Sequence, residues 1–186
     1  MSADEEPATV DGRRAALVCG TPMDDRVEDV CQRALEPSGG ESILWVSYTA
    51  SPTDCFAQLP ALSDDRKAAV SVNSGTRSAA TASNGPTSGN VAVADPNDLT
   101  GLGIAITDQL EPGMNVCFDS VTTMLQYAET KRAYTFLNSL LGHLWNANAT
   151  AHFHFNPEAH DPETVAAITS LFDARIDADG AVRSRT

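Results

Sequence analysis

Short, continuous apolar runs alternate with amphipathic segments along this chain, and this alternation restricts its fold more than any other feature. Apolar runs of this kind occupy 15–19, 43–48, 68–73, 91–94, 115–119, 150–155 and 175–178. Strands that are apolar on both faces are typical of a parallel sheet covered on both sides. Segments between them, such as 23–35 and 130–145, place apolar residues at helical spacing. The pattern predicts an α/β fold, a three-layer α/β/α sandwich with a mainly parallel sheet.

The organisation along the chain is that of one domain, since 186 residues are enough for one core of ordinary size. We expect the domain to span residues 14–179. Residues 1–13 are acidic and hold few apolar side chains to bury, which predicts a disordered leader. Residues 74–90 are rich in small and turn-forming residues, which predicts a mobile loop, and residues 180–186 are expected to form a tail.

The charge balance is strongly acidic, with 25 acidic against 12 basic residues and a net charge of -13. Such a charge disfavours binding to nucleic acid or to an anionic membrane. Lysine occurs only at positions 67 and 131, and this composition resembles that of proteins from salt-loving archaea. We therefore expect unfolding or swelling in dilute buffer, whereas an unchanged melt between low salt and molar KCl would favour an ordinary acidic surface.

The start of the chain has no apolar signal region, and no stretch approaches about 18 continuous apolar residues. We expect a cytoplasmic protein. The four cysteines, Cys19, Cys31, Cys55 and Cys117, are widely spaced and form no Cys-x-x-Cys pair, so zinc-ribbon and redox sites are not supported. Cys19 and Cys117 lie in apolar runs and are predicted to be buried thiols.

Several regions carry a resemblance to a known family. Residues 116–123 read Val-Cys-Phe-Asp-Ser-Val-Thr-Thr, a strand that ends at Asp119 and is followed by Ser120 and a helix. This run is similar to the second acidic nucleotide motif of RecA/KaiC-type ATPases. With 43–48, 134–141, 151–161 and 164–173, it makes residues 14–178 resemble a haloarchaeal family of uncharacterised KaiC-like relatives of signal-transduction ATPases. The resemblance implies a RecA/KaiC-like core.

The phosphate-binding loop of that family is degenerate in this chain. An active member carries a glycine-rich loop that ends in Gly-Lys-Ser/Thr and cradles phosphates with its amides. Residues 19–27 read Cys-Gly-Thr-Pro-Met-Asp-Asp-Arg-Val, so the positions of that site are filled by Gly20, Thr21, Asp24 and Asp25. The lysine, the other glycines and the magnesium-binding hydroxyl are missing. Two like charges about 4 Å apart repel by about 1 kcal/mol even in water, so these carboxylates disfavour phosphate.

The second part of the nucleotide site is retained only in Asp119 and Ser120. The resemblance implies that Asp119 holds the magnesium position of the family, but without phosphates or the hydroxyl such an ion would have few ligands. We therefore expect Asp119 to cap the following helix instead. Residues 47–49, Ser-Tyr-Thr, offer no catalytic glutamate. By this resemblance the chain has no catalytic residue and takes neither ATP nor magnesium as a cofactor.

A histidine pair lies in the run 150–155. His152 and His154 are two residues apart on one strand, so their side chains share a face of the sheet. With His160 or Asp161 they could form a metal triad, since imidazole is a common metal ligand. Polar residues at strand ends more often line a wet crevice. We expect the three histidines to line such a crevice without a metal.

Together these expectations point to a non-catalytic RecA/KaiC-like domain that acts as a regulatory or signalling module through protein contacts. The resemblance implies a protein partner or a homo-oligomer, because relatives of this fold assemble through subunit edges. One alternative is a residual nucleotide or small-ligand binder, a sensor that uses the crevice beyond Cys19, Asp119 and the histidine strand. A further alternative is a metal-dependent hydrolase, which retained zinc would favour.

Overall fold

A computed structural model describes residues 15–35, 42–51, 66–72 and 89–184, together with residues 54, 57 and 63. One sheet of eight strands forms its centre, in the order β4-β3-β2-β5-β6-β1-β7-β8. The strands are β1 (Ala15–Cys19), β2 (Ile43–Ser47), β3 (Lys67–Val72), β4 (Gly89–Val93), β5 (Asn115–Asp119), β6 (Thr150–Phe155), β7 (Ala174–Asp177) and β8 (Val182–Ser184).

Five described helices connect these strands: α1 (Asp25–Leu35), α2 (Leu99–Gln109), α3 (Val121–Met124), α4 (Thr130–Asn146) and α5 (Pro162–Thr169). A 3-10 turn, Pro157–Ala159, precedes α5. Three helices begin at a side-chain cap, because Asp98, Ser120 and Asp161 each accept a hydrogen bond from a first-turn amide. None of the helices in the described part of the chain is long and apolar enough to cross a membrane.

The connectivity of the sheet places the ends of four central strands together. Every neighbouring pair is parallel except β7 and β8, which are antiparallel. Strand β6 lies between β1 and β5, and β2 lies on the other side of β5. Because these strands are parallel, the carboxyl ends of β1, β6, β5 and β2 meet at one edge of the sheet.

Helices cover both faces of the sheet. The larger core lies on the face packed by α2, α3, α4 and α5, and it contains the buried rings of Phe118, Phe153 and Phe172. On the opposite face α1 packs over the sheet with Val27, Val30, Cys31 and Leu35. The predicted three-layer α/β/α fold with a mainly parallel sheet is confirmed.

The edge of the sheet beyond β7 differs from the sequence prediction. Residues 182–184, predicted as part of a tail, form β8. Gly180 has a φ of 82°, which glycine adopts without strain, and it turns the chain back onto β7. The Asp177 carboxylate accepts a hydrogen bond from Arg175 Nε at 2.6 Å within β7, and one from Arg183 Nε at 2.9 Å that links β7 to β8.

The boundaries of one strand and one helix also differ from the sequence prediction. Strand β4 begins at Gly89, inside the stretch predicted as a mobile loop, because it pairs with β3 from Ala68 onward. The helix predicted for 120–127 ends at Met124 and continues as a turn. The predicted leader and most of the 74–90 loop lie outside the described residues, so these remain predictions.

Candidate functional site

The connection between β1 and α1 closes the position at which the family resemblance places phosphate. Only residues 20–24 lie between the strand and the helix. The amide of Gly20 donates to the Phe155 carbonyl at 3.1 Å, and the amide of Asp24 donates to the Thr21 carbonyl at 3.1 Å. A Cβ atom on Gly20 would lie 2.4 Å from Val27 Cγ2. The connection is therefore a tight turn that brings α1 directly against the end of β1.

A carboxylate of the chain itself occupies the start of α1. Asp24 Oδ1 accepts from the Arg26 amide at 3.1 Å and from Arg26 Nε at 2.9 Å, and Oδ2 accepts from Nη2 at 2.8 Å. The side-chain hydrogen bond from Arg26, with the backbone hydrogen bond, lowers the pKa of Asp24 below its usual value. Helix N-terminal amides are ordinary binding groups for anions. Here Asp24 takes that place, and the exposed Asp25 adds a second negative charge.

At the end of β5, Ser120 and Asp119 have separate contacts. Ser120 Oγ accepts from the Thr123 amide at 3.1 Å and caps α3. The expectation that Asp119 caps this helix is therefore wrong. Asp119 Oδ2 accepts from Thr49 Oγ1 at 3.2 Å, while Oδ1 lies 3.8 Å from His154 Nδ1. The carboxylate faces the end of β2 and the histidine strand.

The histidine pair lies on one face of β6, as the strand period predicts, with ring centroids 5.5 Å apart. His152 does not line an open crevice, however, since it is only 3% exposed and lies on the face that α1 covers. His160 stacks on Phe155 with centroids 5.2 Å apart, on the opposite face of the strand from His154. Burial lowers the pKa of His160. The prediction that the three histidines line one crevice is wrong.

Two cysteines join the histidine pair. Cys31 comes from α1 and Cys117 from β5, and their sulfur atoms lie 3.8 Å apart. Cys31 Sγ is 3.0 Å from His152 Nε2, and Cys117 Sγ is 3.8 Å from His154 Nε2. One ligand atom from each of the four side chains lies within 4.8 Å of all the others. We call this group the Cys–His cluster.

The Cys–His cluster favours a deprotonated sulfur. A hydrogen bond from the Cys117 thiol lowers the pKa of Cys31 well below its usual value, and the neighbouring imidazoles add to this effect against the cost of burial. Burial by itself lowers the pKa of His154, but hydrogen bonding and charge from Cys31, with the charge of Asp119, raise it on balance. A thiolate stabilised by imidazole is the form of cysteine that binds metals and electrophiles.

Sequence reasoning missed the Cys–His cluster because it sorted the cysteines by their spacing. One signal was present: Cys117 and His152 lie on strands that pair directly in the sheet. Knowledge that β5 and β6 are neighbours would have placed them side by side on one face. Cys31 sits in the apolar stripe of α1, where it reads as an ordinary core residue.

The sheet order, with β6 inserted between β1 and β5 and with helices on both faces, defines a RecA-like α/β domain. The fold is similar to that of flagellar accessory protein FlaH from Methanocaldococcus jannaschii, with a TM-score of 0.56, 12% identity and coverage of 88% of this chain and 70% of that one. It is also similar to a prototypical ATPase from the type III secretion system of pathogenic bacteria, with a TM-score of 0.55 and 11% identity. That match covers 89% of this chain, which spans about half (51%) of that ATPase.

The particular family is shown by sequence. The chain belongs to the family of unknown function DUF7504, whose model matches residues 14–178. No curated protein matches the chain. The similarity to the two solved structures confirms, at the level of the fold, the resemblance to RecA/KaiC-type domains that was drawn from the sequence.

Proposed function

We propose that this RecA-like domain neither binds nor hydrolyses ATP and works as a regulatory or signalling module through contacts with another protein. The observation that carries the proposal is the Asp24 carboxylate on the Arg26 amide at the start of α1. The setting we propose is a salt-rich cytoplasm, in keeping with the net charge of -13.

Phosphate would have to displace the contacts of Asp24 in order to bind at this turn. The displaced carboxylate would remain close by and would repel the like charge of the phosphate. The sequence supplies no lysine between β1 and α1 to offset that repulsion. This balance of charges supports a domain without a triphosphate ligand.

The second carboxylate of the site supports the same proposal. Asp119 is engaged by Thr49 and faces His154, and no serine or threonine hydroxyl follows the turn at the start of α1. Magnesium requires near-octahedral oxygen coordination and normally shares its shell with substrate phosphates. One partnered carboxylate offers little of that coordination.

A groove between α2 and α4 supports the contact role. It has a volume of about 560 Å³, and Ile104, Phe136 and Leu140 contribute apolar surface to it. Ile104 is 58% exposed, which leaves a large apolar side chain in water. Lys131 and Arg132 lie in its lining, as a basic pair on a strongly acidic protein. The occupant we propose is an apolar segment of a partner protein that carries carboxylates opposite this pair.

Titration calorimetry of magnesium-ATP into the full chain in molar KCl tests the nucleotide part of the proposal. We expect no detectable binding heat. Micromolar affinity would overturn it and would support the residual nucleotide binder instead.

The contact role is tested by comparing two variants in capture experiments from the cell that makes the protein. Ile104→Glu adds a charge to the groove, whereas Met23→Glu adds the same charge at a side chain that is 92% exposed in the β1–α1 turn. We expect a partner retained by Met23→Glu to be lost with Ile104→Glu. Equal capture by both variants would contradict the groove as the contact surface. Light scattering of the pure chain in molar KCl measures whether the partner is a second copy.

A further inference from the structure

We propose that Cys31, Cys117, His152 and His154 bind one zinc ion in a closed structural site beneath α1. The four side chains come from three elements, α1, β5 and β6, and converge within 4.8 Å. Two thiols and two imidazoles are a ligand set that zinc takes in structural sites.

The distances fit a tetrahedral ion. Zinc lies about 2.3 Å from sulfur and about 2.0–2.1 Å from nitrogen, which places two sulfur ligands about 3.8 Å apart and sulfur and nitrogen about 3.6 Å apart. The Cys31 and Cys117 sulfur atoms are 3.8 Å apart. The sulfur–nitrogen distances of Cys31 to His152, 3.0 Å, and of Cys117 to His154, 3.8 Å, lie on either side of the tetrahedral value. These two distances differ from the tetrahedral value by about 0.6 Å and about 0.2 Å.

The chemistry of the ligands favours zinc over magnesium or calcium, because soft thiolates and imidazoles suit zinc whereas the other two ions prefer oxygen. On binding, the cluster releases two protons to solvent, so that both sulfur atoms coordinate as thiolates and both imidazoles in their neutral form. The two thiolate charges then balance the charge of the ion. A neutral site is what this buried position requires, since an unbalanced charge away from water is costly.

The burial of the cluster indicates a structural ion. Cys31, Cys117 and His152 are 4%, 0% and 3% exposed, and the His154 side chain is 19% exposed. Four protein ligands leave no open position for a reactive water, whereas catalytic zinc keeps one. Asp119 lies beside the outer nitrogen of His154, the place where zinc sites commonly carry a carboxylate. This arrangement argues against the metal-dependent hydrolase considered from the sequence.

The ion would fasten α1 to the sheet. That helix has 11 residues, and the two core clusters on its face are small in comparison with the core on the other face. Coordination of Cys31 would tie the middle of α1 to β5 and β6 at once. Because structural zinc binds the folded state and not the unfolded chain, its binding energy contributes to folding.

The first test uses the unmodified full chain, purified without a polyhistidine tag in molar KCl with a reductant that does not bind metal. We expect elemental analysis to find one zinc ion per chain. After zinc is exchanged for cobalt(II), thiolate-to-cobalt charge-transfer bands and intense tetrahedral visible bands are expected. Absence of zinc together with absence of these cobalt bands would overturn the proposal. No substitution is involved, so a folding defect cannot obscure the result.

The second test compares cysteine variants. Cys31→Ser removes a proposed ligand, while Cys19→Ser changes a buried thiol outside the cluster and serves as the control. We expect Cys31→Ser to lower zinc affinity at least about tenfold and Cys19→Ser to leave it unchanged. His154→Ala, at the most exposed of the four ligands, should lose zinc with its circular dichroism retained. Equal zinc content in Cys31→Ser, His154→Ala and the control would refute the assignment.

Discussion

The tight turn between β1 and α1 predicts that replacing Gly20 by alanine destabilises the protein. In Gly20→Ala the new Cβ would lie 2.4 Å from Val27 Cγ2, about 1 Å closer than the shortest ordinary contact of 3.4 Å. Val27 is β-branched and in a helix, so its χ1 is confined to one rotamer and its methyl group cannot turn away. The clash must therefore be relieved by a shift of α1. Overpacking of this kind costs about 1–3 kcal/mol of unfolding free energy.

Gly142→Ala is the matched control, because it makes the same chemical change with the opposite expected sign. Gly142 is exposed in the interior of α4, and a Cβ there would meet nothing within 4 Å. Alanine in an exposed helix interior is favoured over glycine by about 0.5–1 kcal/mol. The two variants should therefore differ by about 1.5–4 kcal/mol.

The assay is urea denaturation in molar KCl, followed by circular dichroism. At this chain length 1 kcal/mol corresponds to about 2–4 °C in melting temperature, so thermal melts provide an independent check. Equal unfolding free energies for Gly20→Ala and Gly142→Ala would refute the close approach of α1 to β1. If α1 shifts as expected, Gly20→Ala should also weaken zinc binding, since Cys31 moves with the helix.

Three further perturbations test the core, a thiol and a helix cap. Phe153→Ala removes a ring that is 0% exposed and packs 5.3 Å and 5.0 Å from two other rings, and denaturation should show a loss of about 3–5 kcal/mol. Burial raises the pKa of Cys19 to about 11, so peptide mapping should find it unalkylated in the native protein at pH 8, whereas rapid labelling would contradict its burial. Backbone and side-chain hydrogen bonds from Thr164 lower the pKa of Asp161, so its stabilising effect is present above about pH 4 and is lost as the pH falls through the folded-state value. The destabilisation caused by Asp161→Ala should accordingly shrink in acid melts, and a constant effect across the acid range would be inconsistent with this cap.

Much of the fold could be predicted because strand and helix periods are local. The runs that form β1, β5 and β6 are apolar, rich in β-forming residues and bounded by turn residues, so their ends were predicted at the observed positions. Strand β8 was missed because its three residues, Val-Arg-Ser, carry no apolar pattern. Its pairing depends on the turn at Gly180 and on the arginines around Asp177, which act only once β7 is in place.

The missing elements of the phosphate-binding loop could likewise be read directly from residues 19–27, because a missing lysine is visible without coordinates. The contacts that those residues make instead could not be predicted from the sequence. Only the structure shows that Asp24 accepts hydrogen bonds from the amide and the guanidinium of Arg26, and that Ser120, not Asp119, caps α3.

The sequence by itself determined the alternation of strands and helices, the lost phosphate-binding loop and the shared face of His152 and His154, since each follows from neighbouring residues. The Cys–His cluster was decided by tertiary structure alone. Cys31 lies 86 positions from Cys117 and 121 positions from His152. They meet only because β6 is inserted beside β5 and α1 crosses over both, and strand order is set by the packing of the whole sheet, which no local pattern records.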